Sequence, residues 1–436
     1  MSPGYTQLDV PDVPITEDPD VVLLNDKVPI MPAELSAPKL IACVTGATSY
    51  VGGHVVRRLL RVGHTVHAPV RDMDESFVGF LKAMPGASER LKLFKVTSVV
   101  EPGAYDEAMK GCSVLHHVAS PFILTGSKEQ LQTKLLDPAI KGIEEILASC
   151  SKTPTINKVI LTGTVLTCCA DFRPSVGNPS FSFSEADWEE NVSETCWPYV
   201  YSKVVQEKRA IEIAAAQSQY ELSILAIGGQ FGPMTSTAGT GVSAMLLKYI
   251  RMGLFFPACP PMAIPMNDVR DTAAIHSLVM SSPKAKGRYL PPQKMVTFYE
   301  ACDGLRTDSR TWRPLLPYFH FPGWFKSVFA CAVPYLGLDP VMPERLWGAA
   351  GKIDSTKVWH RMSSTLSASL PLTLRPPFLS TIPLSLPVSL TSCPHSLLRA
   401  RVTTPLSLFP RWRLILTWQL KASRPFPFRH PWSTWT

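Results

Sequence analysis

The chain has 436 residues, 45% of them hydrophobic, which is enough for one large or two modest domains with a sizeable core. Its formal charge of +8 points at first sight to nucleic acid, but Trp359 to Thr436 holds nine Lys and Arg and no acid, leaving 34 bases against 35 acids in the first 358 residues. That balance excludes a basic nucleic-acid-binding body, and no run reaches the 18 or so apolar residues of a membrane span.

Residues 1–38 are Pro-rich and acidic ("DVPDVPITEDPD"), with Lys27 the only base, and read as a disordered extension without the charged and apolar regions of a secretory signal. The ten cysteines show no CxxC spacing, so reduced thiols in a cytoplasmic protein are expected.

The first strongly patterned stretch is "CVTGATSYVGGHVVRRLL", residues 43–60. An apolar run of strand length precedes it, apolar Val51, Val55, Val56, Leu59 and Leu60 follow at helical spacing, and Gly63 stops that helix before a second strand, "TVHAPV". A dinucleotide fingerprint would put glycines at 46, 49 and 52; Ser49 takes the middle place, where a side chain is expected to crowd the turn. Taken alone, the stretch also fits an ordinary tight turn.

Strand and helix patterns then alternate: strand 91–96, helix 103–111, strand 113–119, helix 137–150, strand 158–163, helix 199–216, strand 222–228. Asp137 is the expected N-cap of its helix, with Pro138 at the first helical position. Such alternation predicts an α/β fold: a Rossmann-type, doubly wound parallel sheet, with ligands at the carboxyl ends of its strands. The glycine loop, Ser120-Pro121 and Thr162-Gly-Thr164 all fall at those ends, which makes the turn a nucleotide loop.

Tyr199 and Lys203 lie four apart on a helix, on one face. An ammonium beside a phenol lowers its ordinary pKa of about 10, so the pair could give a proton to a carbonyl oxygen as hydride reaches carbon. A Tyr/Lys pair at this spacing also arises by chance on amphipathic helices. His116 and His117 are expected to be packed, "EADWEEN" (185–191) to be a solvated acidic turn, and the aromatic stretch 318–338 to be core or pocket wall. No Cys/His/Asp cluster has metal spacing.

The pieces "VTGATSYVGGHVVRRLL", "HAPVRD", "YDEAMKGCSVLHHVASP", "DPAIKGIEEILASC", "PYVYSK" and "KAKGRYL", in this order, resemble the extended short-chain dehydrogenase/reductase family, within the NAD-dependent epimerase/dehydratase superfamily. The branch resembled holds dihydroflavonol reductases, cinnamoyl-CoA reductases and 3β-hydroxysteroid dehydrogenases. The resemblance implies that Tyr199 is the catalytic acid/base, that Lys203 lowers its pKa and holds the nicotinamide ribose, and that Thr164 stands where the family has a serine, with Thr162 and Thr167 as fallbacks. It also implies cofactor contacts at Thr45, Gly46, Ser49, Tyr50, Val51, Gly52, Ala119 and Ser120. Arg71, where NAD-preferring relatives carry an acid, suits a 2′-phosphate and favours NADP over NAD; the plainer reading is a solvated strand-end charge. Thr97, Ile227, Cys169 and "CWPYVYSK" depart from the family's pattern.

The expected organisation is a nucleotide domain at 39–228, a smaller substrate-binding part at 229–357 and a Ser/Leu/Pro-rich tail at 358–436, disordered or aberrant. The expected activity is NADP-dependent interconversion of a carbonyl and an alcohol on a hydrophobic small molecule, with room for a homodimer and no nucleic-acid partner. The alternatives are a nucleotide-sugar epimerase or dehydratase of the same fold and a non-catalytic NADP sensor.

Overall fold

The computed structural model describes residues 30–358, apart from 31, 179, most of 236–254, 307–315, 337 and 350; the tail expectation lies outside the described residues. Pro32–Ser36 forms a short helix, α1, inside the stretch expected to be unstructured. It is held because Glu34, with 0% exposure, accepts from Arg58 Nε at 2.9 Å in a buried pair.

β1 (Ile41–Thr45), β2 (Thr65–Val70), β3 (Leu91–Lys95), β4 (Val114–His117), β5 (Lys158–Thr164) and β6 (Glu221–Ile227) match the six predicted strands. With β9 (Gly287–Tyr289) they build one parallel sheet in the order β3-β2-β1-β4-β5-β6-β9, the Rossmann order with a strand added. The added strand comes from "GRYL", well past residue 228, and takes the edge beside β6. The strand that directly follows β6 in the chain, β7 (Gly229–Phe231), pairs instead with β8 (Ala263–Asp268), which also pairs with β10 (Lys294–Thr297) in a small separate sheet.

Helix α2 (Tyr50–Val62) follows β1 and buries Val55, Val56, Leu59 and Leu60 against the sheet and α5 (Val269–Ser281). Each such side chain contributes roughly 1.5–3 kcal/mol relative to exposure. Gly63 ends the helix with φ +100, its amide donating to the carbonyls of Leu59 and Leu60. That conformation is the one glycine adopts without penalty.

Helix α3 (Asp137–Lys152) does not start at an Asp137 cap as the sequence suggested. A π turn, Gln132–Leu136, runs straight into it, so Pro138 sits in a continuous helical backbone at a place where the wider turn excuses its missing N–H. The Asp137 carboxylate accepts from Gln132 Nε2 at 2.6 Å instead of capping.

Two other expectations change. In "EADWEEN", Trp188 lies under the Arg288 guanidinium at 3.7 Å and Glu189 is 6% exposed, accepting the amides of Asp171 and Asn191. The segment is packed in part: Glu185 and Glu189 find donors in the fold that composition does not reveal, while Asp187 and Glu190 are exposed as the sequence suggested. The aromatic stretch 318–338 divides: Phe329 and Val333 are buried, whereas Trp324 is 75% and Tyr335 92% exposed. His116 and His117 are buried as expected. Among the described residues no helix is long and apolar enough to cross a membrane.

Candidate active site

The loop after β1 is shaped by two glycines. Gly46 has φ +68, and a Cβ there would stand 2.8 Å from the Ala119 nitrogen, so only glycine lets this loop lie against the one after β4. A Cβ on Gly52 would fall 2.0 Å from the Gly46 carbonyl oxygen. Ser49, expected to crowd the turn, closes it: its backbone is extended and its Oγ accepts the Gly52 amide at 3.1 Å, capping α2. Thr45 Oγ1 accepts the Ala119 amide at 3.2 Å and sits 2.9 Å from His117 Nδ1, tying β1 to β4. The Tyr50 hydroxyl donates to the Gly232 carbonyl at 2.9 Å, so this side chain fastens the turn to the residue after β7. What remains for a ligand is the N-terminal turn of α2, with the amides of Tyr50 and Val51 in the positions that lack helical acceptors. A close-set glycine turn against a helix N-terminus fits the pyrophosphate of a dinucleotide.

The chemistry-bearing groups stand on α4 (Pro198–Ala215) and at the end of β5. Trp197, just before α4, has φ 55, a conformation that costs about 1–3 kcal/mol in a non-glycine residue and is offset by burying its ring to 2% exposure. Pro198 then opens the helix with Tyr199 in its first turn. The Tyr199 hydroxyl faces the Thr164 side chain. Burial pushes the phenol well above its ordinary range; the Thr164 side chain opposes this and the charge of Glu207 adds to it. Lys203 Nζ lies 6.0 Å from the Tyr199 ring centre and donates to Ser120 Oγ and, at 3.2 Å, to Gln206 Oε1. The lowering of the phenol expected from Lys203 is not found: the shift is upward and set by desolvation, so Tyr199 is held as the protonated acid. Phe122 packs edge-on against the Tyr199 ring at 4.7 Å, an apolar wall beside the hydroxyl.

A family model for the NAD dependent epimerase/dehydratase family matches residues 42–289, more than half of the chain. The chain belongs to that family. Within the epimerase/dehydratase family it is 32% identical over 273 residues to a cinnamoyl-CoA reductase of Medicago truncatula, covering 61% of this chain and 80% of that protein. It is 28% identical over 291 residues to a bifunctional dihydroflavonol 4-reductase/flavanone 4-reductase of Malus domestica, covering 66% of this chain and 79% of the relative. Among solved structures, Gre2 of Candida albicans in complex with NADPH superposes with a TM-score of 0.59 at 23% identity, over 76% of this chain and 95% of that one.

For this epimerase/dehydratase family member the structure gathers Thr164, Tyr199, Lys203 and Ser120 at the carboxyl edge of the sheet. Arg71 lies apart from them, exposed directly after β2, and Thr97 is exposed after β3. Thr162, a fallback for Thr164, faces His276 Nε2 at 3.3 Å in the core. Thr167 donates to Glu207. Sequence reasoning passed over Glu207 and Arg288, an ion pair at 3.3 Å with side-chain exposures of 1% and 7%. The available signal was spacing: Glu207 repeats the Tyr199–Lys203 interval one step further along α4.

Burial lowers Lys203 to about 8, with the charge of Glu207 opposing the shift. The ammonium is present below that value and lost above it, while an ordinary lysine would keep its proton to about 10.4. Tyr199, shifted upward, stays protonated through the same range. We expect kcat/KM for carbonyl reduction to fall as pH rises through about 8. A profile that stays flat to pH of about 10 would show that the Lys203 charge is not required.

Proposed function

We propose that this chain is an NADPH-dependent reductase, working as a dehydrogenase in reverse, that interconverts a carbonyl and an alcohol on a hydrophobic small molecule. One observation carries the reading: Tyr199, kept protonated by burial, faces Thr164 while Lys203 on the same helix face donates to Ser120 beside the glycine turn. The reductases among the relatives support the same chemistry. Gly46 and Gly52 shape the turn for the pyrophosphate, Arg71 receives the 2′-phosphate, and Lys203 holds the nicotinamide ribose. NADPH, when bound, supplies the hydride. The side chains of Thr164 and Tyr199 orient the carbonyl oxygen, and Tyr199 gives that oxygen its proton as the alcohol forms. The Lys203 ammonium then stabilises the phenolate left behind. Phe122 and the apolar wall around Tyr199 favour a substrate with an aromatic or alkyl body.

The test is loss of NADPH absorbance with a panel of hydrophobic aldehydes and ketones. NADPH binding without turnover of any of them would favour a sensor and defeat the reading. An epimerase is disfavoured by Arg71, because an enzyme that retains NAD calls for an acid there.

Arg71→Asp removes the phosphate's partner and offers an acceptor to the ribose hydroxyls. A hydrogen bond between charged groups is worth about 1.5–3 kcal/mol, so the NADPH/NADH ratio of kcat/KM should fall about 10- to 100-fold. An unmoved ratio assigns the discrimination to another residue.

A further inference from the structure

Glu207 lies one turn beyond Lys203 on α4 and has 0% exposure. A carboxylate so deeply buried requires partners, and it has two. Thr167 Oγ1 is 3.1 Å from its oxygens, and Arg288 Nε stands 3.3 Å away in an ion pair. The same Thr167 hydroxyl lies 2.9 Å from the Thr164 carbonyl oxygen, so Glu207 and Thr164 are joined through Thr167. Gly163 makes the approach feasible, because a Cβ there would fall 2.3 Å from Glu207 Oε1. Arg288 is fixed in turn by the Trp188 face and by the carbonyls of Glu185 and Asp187, at 2.9 and 2.8 Å.

We propose that Glu207 is a positioning residue: by receiving the Thr167 hydroxyl and filling the space against Gly163, it fixes the turn after β5 so that the Thr164 side chain faces the hydroxyl of Tyr199. This rests on the reductase reading above, in which those two groups orient the carbonyl oxygen. Glu207 itself touches neither substrate nor cofactor. Segment 185–189 and β9 support that carboxylate through Arg288, and the Glu189 amide also donates directly to the Thr167 carbonyl at 2.8 Å.

Gly163→Ala tests the placement with no charge removed, since its methyl would occupy the space of the carboxylate oxygen. Its kcat should fall about 10- to 100-fold, the cost of a misplacement on the order of 1 Å, while KM for the carbonyl and the NADPH dissociation constant stay near wild type. Adding Glu207→Asp to that variant shortens the side chain, makes room for the methyl and should recover part of kcat. Glu207→Leu with Arg288→Met removes both buried charges and the acceptor oxygens together, leaves neither charge unpaired, and should lose kcat in the same way; it serves if Gly163→Ala does not accumulate as folded protein. Wild-type kcat with a lowered melting temperature in these variants would overturn the proposal and leave the pair as a brace only. A crystal structure of Gly163→Ala gives the independent arm: the Thr164 side chain is expected to have moved away from Tyr199, and an unmoved Thr164 overturns the proposal. Should the wild-type protein reduce no carbonyl, the reductase reading fails on its own and that crystal structure still decides the role of Glu207.

Discussion

Tyr199→Phe should lower kcat by about two to four orders of magnitude, the usual worth of a positioned proton donor. The substitution removes one oxygen and leaves the ring, so the edge-on contact with Phe122 persists and the first turn of α4 is undisturbed. The turn after β5 keeps its anchor, the Thr167 hydroxyl on Glu207, and Lys203 keeps Ser120 and Gln206. NADPH affinity, measured by fluorescence titration, should therefore stay within about twofold of wild type, a change well under 1 kcal/mol. A variant that turns over at the wild-type rate would sink the assignment of Tyr199 as proton donor, because no second hydroxyl replaces it at that position.

The second large effect is expected at Gly52. An alanine methyl there would stand 2.0 Å from the Gly46 carbonyl oxygen and 2.7 Å from its carbon, both backbone atoms that cannot swing aside. Relief requires α2 to withdraw from the turn, which breaks the bond between the Gly52 amide and Ser49 and redirects the helix end. NADPH affinity should drop at least about 100-fold, near 2.7 kcal/mol, with far-ultraviolet circular dichroism retained. Wild-type affinity in Gly52→Ala would mean that the cofactor does not use this turn. Ser49→Ala makes a useful contrast, since it deletes a cap worth typically about 1 kcal/mol without a clash.

Much of this architecture could be read from the residues because periodicity is local. The spacing of Val55, Val56, Leu59 and Leu60 specifies one buried helix face, and Gly63 marks its end, whatever lies further along the chain. The six strands of the nucleotide part were legible for the same reason. What stayed hidden depends on contacts between distant segments. "GRYL" is too short to announce a sheet strand, and only the open edge of β6 makes it one. "EADWEEN" looks solvated until Arg288 is seen lying across Trp188. The stretch 318–338 has enough aromatic residues for a core, but composition does not say that Trp324 and Tyr335 face outward. Tyr199 and Lys203 could be found by spacing, whereas the direction of the phenol's shift could not, because it follows from burial rather than from its neighbour four residues on.

The placement of β9 bears on how the chain is made. During synthesis β6 leaves the ribosome about sixty residues before the strand that will cover it, since β6 ends at Ile227 and β9 begins at Gly287. At roughly 5–20 residues per second that interval lasts several seconds, and throughout it a nascent sheet displays an unpaired apolar edge. A product cut off near residue 228 would keep that edge permanently. Such fragments should collect in inclusion bodies or on chaperones, and the shortest fragment that stays in solution should extend beyond Leu290, which is itself fully buried.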